Sequence, residues 1–136
     1  MAESFGPISF FSRTYDEAVA LLHDAHDYIE RHQWRDTAGH GIPGQAVAAV
    51  ETTRLVARLT HVMAWLLVRK AVHAGDISEA EALEQRNRLG GQGICLAEGD
   101  AESVLPDSRL ARLMDRSRRL YVRVARLDEM LERGAI

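Results

Sequence analysis

A heptad repeat of apolar residues near the C-terminus constrains the fold more than any other feature of the sequence. Apolar positions follow one another there in alternating steps of three and four, with a single serine among them: Leu110, Leu113, Ser117, Leu120, Val124, Leu127 and Leu131. Such a repeat makes one continuous stripe on an α-helix, and a stripe of this length has to be buried against other helices. The sequence therefore predicts a long helix that begins near Pro106-Asp107-Ser108 and ends at about Arg133.

A first helix is predicted after Gly6-Pro7. Residues at spacings of three and four form its apolar face: Phe11, Tyr15, Val19, Leu22, His26 and Ile29, with Ala18 and Ala25 beside them. Thr14 and Glu17 make a possible capping box at its start, with Ser9 and Ser12 as alternative caps. The helix should end before residues 39–44, because this stretch is rich in glycine and contains a proline.

A second helix is predicted from Pro43 or Gly44 to about His73, with Gly75 as its C-terminal stop. It has two apolar faces. The broad face consists of Leu55, Val56, Leu59, Val62, Met63, Leu66 and Leu67, and the narrow face of Val50, Ala57, Ala64 and Ala71 at seven-residue spacing. A helix that is apolar on more than one side is usually the central helix of its domain.

Between the second and the last long helix, Ser78 and Glu81 predict a capping box and a short helix that reaches about Leu89. Residues 90–106 have no periodicity and are predicted to form a mobile loop. A chain of 136 residues with 46% hydrophobic and 27% charged residues is typical of one soluble globular domain, here residues 1–136. We therefore predict an all-α fold, an antiparallel three-helix bundle with a short extra helix before a long loop.

Redox and targeting features favour a cytoplasmic protein. Cys95 is the single cysteine, which excludes an internal disulfide and a cysteine-based zinc site. The N-terminus has an acidic residue and no positively charged start followed by an apolar run, so it does not resemble a secretory signal. The richest apolar stretch, residues 62–68, is much shorter than the roughly 20 residues that span a bilayer.

The charge distribution is asymmetric. The net charge of −3 combines −6 in residues 1–106 with +3 in residues 107–136. The arginine-rich last helix is therefore a candidate for contacts with nucleic-acid phosphates. The simpler interpretation, which we prefer, is that its arginines pair with acidic residues of the first helix or with Glu79, Glu81 and Glu84.

No arrangement of catalytic groups stands out. His23, His26 and Asp27 are the nearest approach to a metal site, but too few ligands converge on them. Cys95 has no histidine nearby in the sequence to activate its thiol, and the adjacent glycines are not followed by the Lys-Ser or Lys-Thr of a P-loop. We therefore predict no enzyme activity, no catalytic, cofactor or metal site, and no cofactor.

The most informative stripe on the central helix consists of Arg54, Arg58, His61, Trp65 and Arg69. Arginine and tryptophan are enriched at the centres of protein interfaces, so we predict that these five residues contribute to partner docking or to a dimer. The alternative is structural, with Trp65 filling the edge of the bundle and the arginines surrounding it. The narrow alanine face beside the stripe favours a closely packed partner, such as a second copy of the chain, or tight contact with another helix of the same chain.

Residues 51–72, ETTRLVARLTHVMAWLLVRKAV, resemble a run that is characteristic of the alphaproteobacterial RcdA family, the regulator of CtrA degradation, which is also catalogued as a domain of unknown function. The following Gly75-Asp76-Ile77-Ser78 and Glu81-Ala82 fit its continuation. Residues 10–18, FFSRTYDEA, and Tyr28 fit its opening. The resemblance covers most of the chain.

This resemblance implies a three-helix bundle that forms homodimers and has no enzymatic activity. It implies an adaptor that delivers regulatory substrates to the ClpXP protease during the cell cycle, after a phosphorylation-controlled, response-regulator-like protein has primed the protease. Such an adaptor works by tethering, which raises the local concentration of the substrate at the protease. The sequence given ends almost directly after the last predicted helix, so we expect any recruitment role of an extended C-terminal tail to be missing.

Overall fold

The structure is a computed structural model that describes residues 7–97 and 108–135. Helices make up most of these residues and no strand occurs among them, so the predicted all-α class is confirmed. Within these two ranges, no helix combines the length and the apolar character needed to cross a bilayer.

The first helical stretch is longer than predicted. Helix α1, Pro7–Asp27, continues through a π-helical turn at Tyr28–His32 into α2, Gln33–Ala38. It ends before Gly39, as predicted. The predicted capping box at Thr14 is wrong, because Thr14 lies well inside α1 and its hydroxyl donates a 3.0 Å hydrogen bond to the Phe10 carbonyl. The helix instead begins at Pro7, and proline suits a first turn because the amide that it lacks would have no partner there.

The buried face of α1 differs from the predicted one by one position. The buried side chains are those of Phe11, Thr14, Ala18, Leu21, Ala25 and Tyr28. Leu22 and Ile29, predicted to be buried, are exposed, and so is His26. Leu21 and Leu22, like Tyr28 and Ile29, are neighbouring large apolar residues. Periodicity alone therefore did not decide which stripe faces the core.

Helix α3, Gly41–His73, is the central helix. Its end at His73 is confirmed, and Gly75 just beyond it has a φ of 80°, a left-handed conformation that favours glycine. One side of α3 contributes buried apolar residues to the core: Ala48, Leu55, Leu59, Val62 and Leu66. Val56 and Leu67, predicted for the same face, are exposed on the opposite side.

Residues 78–97, which we call the strap, follow α3. The strap contains α4, Glu79–Ala82, a 3-10 turn, Gln85–Asn87, and α5, Gln92–Cys95. Its capping box is confirmed, since the Glu81 amide donates to the Ser78 hydroxyl at 3.1 Å. The predicted continuation of this helix to Leu89 is wrong, because α4 ends at Ala82. Residues 90–97 of the predicted mobile loop are packed against α3, and the remainder of that loop lies outside the described residues.

The last long helix is α6, Arg109–Glu132. It begins where the sequence predicts, and the Ser108 hydroxyl caps it by accepting a 3.0 Å hydrogen bond from the Ala111 amide. The heptad stripe is confirmed: Leu110, Leu113, Ser117, Leu120, Val124 and Leu127 are buried, and Leu131 is half-buried. Met114, Tyr121 and Asp128 widen this buried face beyond the prediction.

Helices α1, α3 and α6 each pack against the other two. Helix α1 runs antiparallel to α6, because Glu17 pairs with Arg123 while Asp24, further along α1, pairs with the earlier Arg116. It also runs antiparallel to α3, since Phe11 near its start contacts His73 at the end of α3.

Helices α3 and α6 run parallel to each other. Arg58 contacts Ser117, and Trp65, two turns further along α3, contacts Asp128 further along α6. The predicted antiparallel arrangement is therefore wrong for this pair. The strap accounts for the difference, because it runs back along α3 from the level of Arg69, which pairs with Glu79, to the level of Arg54, which donates to the Ile94 carbonyl.

Candidate interaction surfaces

The predicted stripe of Arg54, Arg58, His61, Trp65 and Arg69 lies beneath the strap, on the side of α3 that borders α6. Three of its side chains are buried, those of Arg58, Trp65 and Arg69, whereas Arg54 and His61 are half-buried. The structure therefore brings all five to one side of α3, but it places most of them inside the fold.

Arg58 joins three parts of the chain. Its side chain is only 2% exposed, and its Nε donates to the Cys95 carbonyl of the strap at 2.7 Å. Its Nη1 donates to the Met114 carbonyl at 2.9 Å and to the Ser117 hydroxyl at 3.0 Å, both on α6. Burial, together with the nearby Arg54 charge, lowers the pKa of the Arg58 guanidinium. The polar member of the predicted heptad stripe, Ser117, is thus a partner of this buried cation.

Trp65 is the second connection between α3 and α6. Its side chain is 3% exposed, and its Nε1 donates to Asp128 Oδ1 at 2.9 Å. Arg88 of the strap donates to both oxygens of the same carboxylate, at 2.8 and 2.9 Å, and it also pairs with Glu132 at 2.8 Å. These hydrogen bonds raise the pKa of Arg88. Asp128 therefore ties α3, the strap and α6 together.

Arg54 and Arg69 hold the two ends of the strap. Arg54 donates through Nε to the Ile94 carbonyl at 3.1 Å and also pairs with the buried Glu51. Arg69 pairs with Glu79 at 2.8 Å, and its guanidinium carbon lies 5.8 Å from the centre of the Trp65 ring. Both arginines thus have partners within the chain.

His61 is packed against the glycines at the middle of the strap. Gly91 has a φ of 74°, and a Cβ at this position would lie 2.5 Å from His61 Nε2. The neighbouring Gly90 carbonyl accepts a 2.5 Å hydrogen bond from the Tyr121 hydroxyl of α6. Cys95 is fully buried nearby, and burial raises the pKa of its thiol. The glycines therefore allow the strap to pass directly over α3.

The sequence prediction missed the partners of the stripe, namely Gly90, Gly91, Cys95, Tyr121 and Asp128. They lie more than two dozen residues away along the chain. Gly90, Gly91 and Cys95 belong to a segment without periodicity, and Tyr121 and Asp128 lie beside the heptad stripe of α6, so no local pattern indicated these contacts. The predicted role of the five stripe residues in binding a partner stays a prediction, since the contacts described here are all within the chain.

The opposite side of α3 has a different character. We define the outer face of α3 by the following uncharged residues, of which Ala57, Val68 and Ala71 are half-buried and the others exposed: Ile42, Ala46, Ala49, Val50, Thr53, Val56, Ala57, Thr60, Ala64, Leu67, Val68 and Ala71. From Ala46 to Leu67, every exposed residue of α3 is Ala, Val, Thr or Leu. The narrow face predicted from the seven-residue spacing lies here. The solvent-facing side of a helix is ordinarily polar, and a large exposed apolar patch marks an interaction site.

The edge of α1 extends this apolar surface. Lys70 Nζ lies 4.0 Å from the centre of the Tyr15 ring, which fixes the register between the antiparallel helices. Seven-residue steps from that pair bring Leu22 to the level of Met63 and Ile29 to the level of Val56. Leu22, Ile29 and Val56 are all exposed.

The corner between α2 and α3 carries two further exposed apolar side chains. Trp34 is 77% exposed and Ile42 is 80% exposed. Trp34 lines a shallow hollow with Ile29 of the π-helical turn and Gln45 of α3. The corner is therefore continuous with the outer face of α3 and with the edge of α1.

The outward side of α6 is basic, and part of its charge is neutralised within the chain. Arg123 pairs with Glu17 at 2.6 Å and Arg116 pairs with Asp24 at 2.9 Å. The hydrogen bond from Arg123 lowers the pKa of Glu17. The predicted pairing of the last helix with acidic residues of the first helix is thus confirmed for these two pairs.

The histidines considered as metal ligands have other partners or point to solvent. His26 is exposed and lies 3.6 Å from Glu30, while His32 lies 3.4 Å from Asp27. His23 is exposed. In the described ranges, no group of three or more His, Cys, Asp or Glu side chains converges in a way that could hold a metal ion.

Comparison with protein families gives a match over residues 3–135, nearly the whole length. The chain belongs to the family described as "Protein of unknown function (DUF1465)". No curated protein and no solved structure matches it.

Proposed function

We propose that this protein is a non-enzymatic adaptor in regulated, cell-cycle-linked proteolysis. It tethers substrate proteins to the ClpXP protease through protein–protein contacts and acts as a homodimer. The observation that carries this proposal is the outer face of α3, an exposed and uncharged surface on the central helix. The partners named in this proposal come from the resemblance of residues 51–72 to the RcdA family, which implies an adaptor built on a three-helix bundle.

The mechanism requires surfaces rather than reacting groups. Two weak contacts made by one adaptor raise the effective concentration of a substrate at the protease, without any new contact between substrate and protease. The apolar surface formed by α3, α1 and the Trp34 corner supplies contact area of the kind that interfaces use, including the contact between the two copies of the adaptor. A response-regulator-like protein primes the protease, so the adaptor binds a primed complex rather than the ATPase alone.

Within this proposal, the buried members of the stripe act by positioning. Arg58, Trp65 and Arg69 fix the strap and α6 against α3, and thereby fix the shape that a partner meets. Arg54 and His61 keep part of their surface accessible, and within this proposal they are the two stripe residues that touch a partner directly.

Affinity capture tests the proposal. The full chain serves as bait in an alphaproteobacterial cell extract, and mass spectrometry identifies the bound proteins. Leu67→Glu places a charge on the outer face of α3, and Ala20→Glu places the same charge on an exposed position of α1. We expect ClpXP components and a response-regulator-like protein with the unmodified and Ala20→Glu baits, and reduced recovery with Leu67→Glu.

A reconstituted assay then separates capture from function. Purified ClpXP, the priming protein and a captured substrate are combined with and without the chain. The proposal requires that the chain accelerate degradation of that substrate. If ClpXP components are not captured and degradation is unchanged, the protein is not this adaptor.

The second candidate is a nucleic-acid-associated helical regulator that uses the arginines of α6. Exposed Arg118 and Arg126 form no ion pair with another described residue, which favours it. The pairing of Arg116 and Arg123 with α1 weakens this second candidate, because it neutralises part of the positive charge of α6. A gel-shift assay with duplex DNA distinguishes the two, because phosphate contacts weaken steeply with salt. Binding that persists at physiological salt and is lost in an Arg118→Ala/Arg126→Ala variant would establish this candidate.

A further inference from the structure

We propose that the outer face of α3 is the surface through which two copies of this chain associate. This inference rests on the homodimer in the proposed function and identifies the face that forms it. Three properties of the face support a second copy as the occupant: its lack of charge, the size pattern of its side chains, and its extent.

The charge pattern suits a symmetric pair. In a two-fold interface the same patch lies on both sides, so a charged patch would face a patch of the same sign. The outer face avoids this problem, because no charged residue is exposed on α3 between Ala46 and Leu67. The charged residues nearest to it, Arg54 and Lys70, lie at its edges.

The size pattern allows two helices to approach closely. Val50, Ala57, Ala64 and Ala71 recur every seven residues, and Thr53, Thr60 and Leu67 lie between them, so the seam advances in steps of three and four. This is the repeat with which two helices interlock along their length. Small side chains at the contact shorten the distance between the helix axes, and a second α3 presents the same seam.

The extent of the surface is appropriate for a stable dimer. The outer face spans about 30 residues, or roughly 45 Å at the helical rise, and a width of about 10 Å gives roughly 450 Å². Leu22, Ile29 and Trp34 extend it beside α3. The outer face alone is more than half of the roughly 800 Å² that each partner buries in a standard interface, and together with these side chains it is a large patch for a monomer.

A charge introduced into the seam provides the first test. Ala64→Glu brings two carboxylates into the proposed contact, and Ala20→Glu places the same charge on an exposed position of α1. We expect sedimentation analysis to show dimers for the unmodified chain and for Ala20→Glu, and dimerisation weakened about 100-fold or more for Ala64→Glu. Circular dichroism should show the same helix content in all three.

A cysteine near the middle of the seam provides the second test. Residue 60 lies close to the midpoint of the seam, so a two-fold pair brings its two copies together, within reach of a disulfide. Under mild oxidation we expect Thr60→Cys to form a covalent dimer and Ala20→Cys to remain monomeric on a denaturing gel. The native Cys95 is fully buried and should not cross-link.

The outcomes separate this inference from the proposed function. A dimer that survives Ala64→Glu and gives no Thr60→Cys cross-link uses another face, and the adaptor proposal is unaffected. A chain that remains monomeric at all concentrations overturns both the inference and the homodimer. Capture of ClpXP components, measured separately, then decides whether the chain is an adaptor at all.

Discussion

The two sides of α3 reverse the usual distribution of polar and apolar residues on a helix near the surface. The side beneath the strap carries most of the charged residues of the helix: Glu51, Arg54, Arg58 and Arg69. The outer face carries alanine, valine, threonine and leucine. A helix in a globular protein ordinarily places its charges toward water and its aliphatic residues toward the core.

The difference between the two sides reflects the hydrogen-bonding groups that lie over each of them. The strap contains little regular structure, so its carbonyl groups need hydrogen-bond donors from elsewhere. Arg54 and Arg58 supply these donors to Ile94 and Cys95. The outer face has no corresponding requirement within the chain, which is why we assign it to a contact between chains. Substitutions on the inner side should therefore affect folding, and substitutions on the outer face should affect association.

Trp65→Ala should have the largest effect. The change removes a buried ring and its hydrogen bond to Asp128, and we expect a loss of about 4 kcal/mol in the free energy of unfolding. Urea denaturation followed by circular dichroism measures it. Trp34→Ala is the matched control, because Trp34 is mostly exposed, and it should change the stability by less than about 0.5 kcal/mol. If the Trp65→Ala variant is instead as stable as the unmodified chain and loses only association, Trp65 belongs to an interface, as the sequence predicts.

Arg58→Met should have the second-largest effect on stability. Methionine retains the apolar stem but leaves the buried Cys95 carbonyl without its donor, and we expect a loss of about 3 kcal/mol. Limited proteolysis should show faster cleavage within residues 90–97, because the strap loses its main attachment. Arg126→Met, on the exposed side of α6, is the control and should behave like the unmodified chain. Equal stability of the two variants would show that the Arg58 contacts contribute little.

Gly91→Ala should lower the free energy of unfolding by about 2 kcal/mol, since a Cβ in this left-handed conformation is strained and also collides with His61. In a His61→Ala background the backbone strain and a tight 3.2 Å contact with Cys95 Sγ remain, and the loss of stability should fall to about 1 kcal/mol. Gly93→Ala is the control, because a Cβ there meets nothing within 4 Å. A double-mutant cycle from thermal melts gives these differences, and a cost that His61→Ala does not change would contradict the close packing of the strap.

Leu67→Ser should have the smallest effect on folding. Leu67 is exposed on the outer face, so we expect a change of less than about 0.5 kcal/mol in dilute solution, where association contributes little. At high protein concentration the unmodified chain should melt at a higher temperature than the variant. A large loss of stability in dilute solution would instead identify Leu67 as a core residue and would remove the contrast between the two sides of α3.

Much of the helical framework followed from the sequence. The heptad repeat was sufficient to predict the buried side of α6. Its large apolar residues form a single stripe and arginines occupy many of the other positions, so only one side of the helix can be buried. The end of α3 and the capping box at Ser78 followed from local chemistry. The buried face of α1 did not, because Leu21 and Leu22 are adjacent and equally apolar, and contacts with α3 and α6 decide between them.

The candidate surfaces were predictable only in part. Arg54, Arg58, His61, Trp65 and Arg69 were recognised as one stripe, because helical geometry places them on one side. Their contacts with the strap depend on the path of residues 78–97, which has neither an apolar period nor a long helix. The exposure of Val50 and Ala64 in the narrow alanine face was not predictable either, since small residues suit contact within a chain as well as contact between chains.

The parallel course of α3 and α6 has a consequence for how the chain reaches its native state. The α1–α2 stretch and α3 are separated by a tight turn, so they can meet early, at a small loss of chain entropy. The last helix can dock correctly only after the strap has folded back along the central helix, from the level of Arg69 to that of Arg54. Early in refolding, the first half of the chain should therefore exist as a helical hairpin whose apolar surface, later covered by α6, is still exposed. That interval would be the period of greatest vulnerability to aggregation.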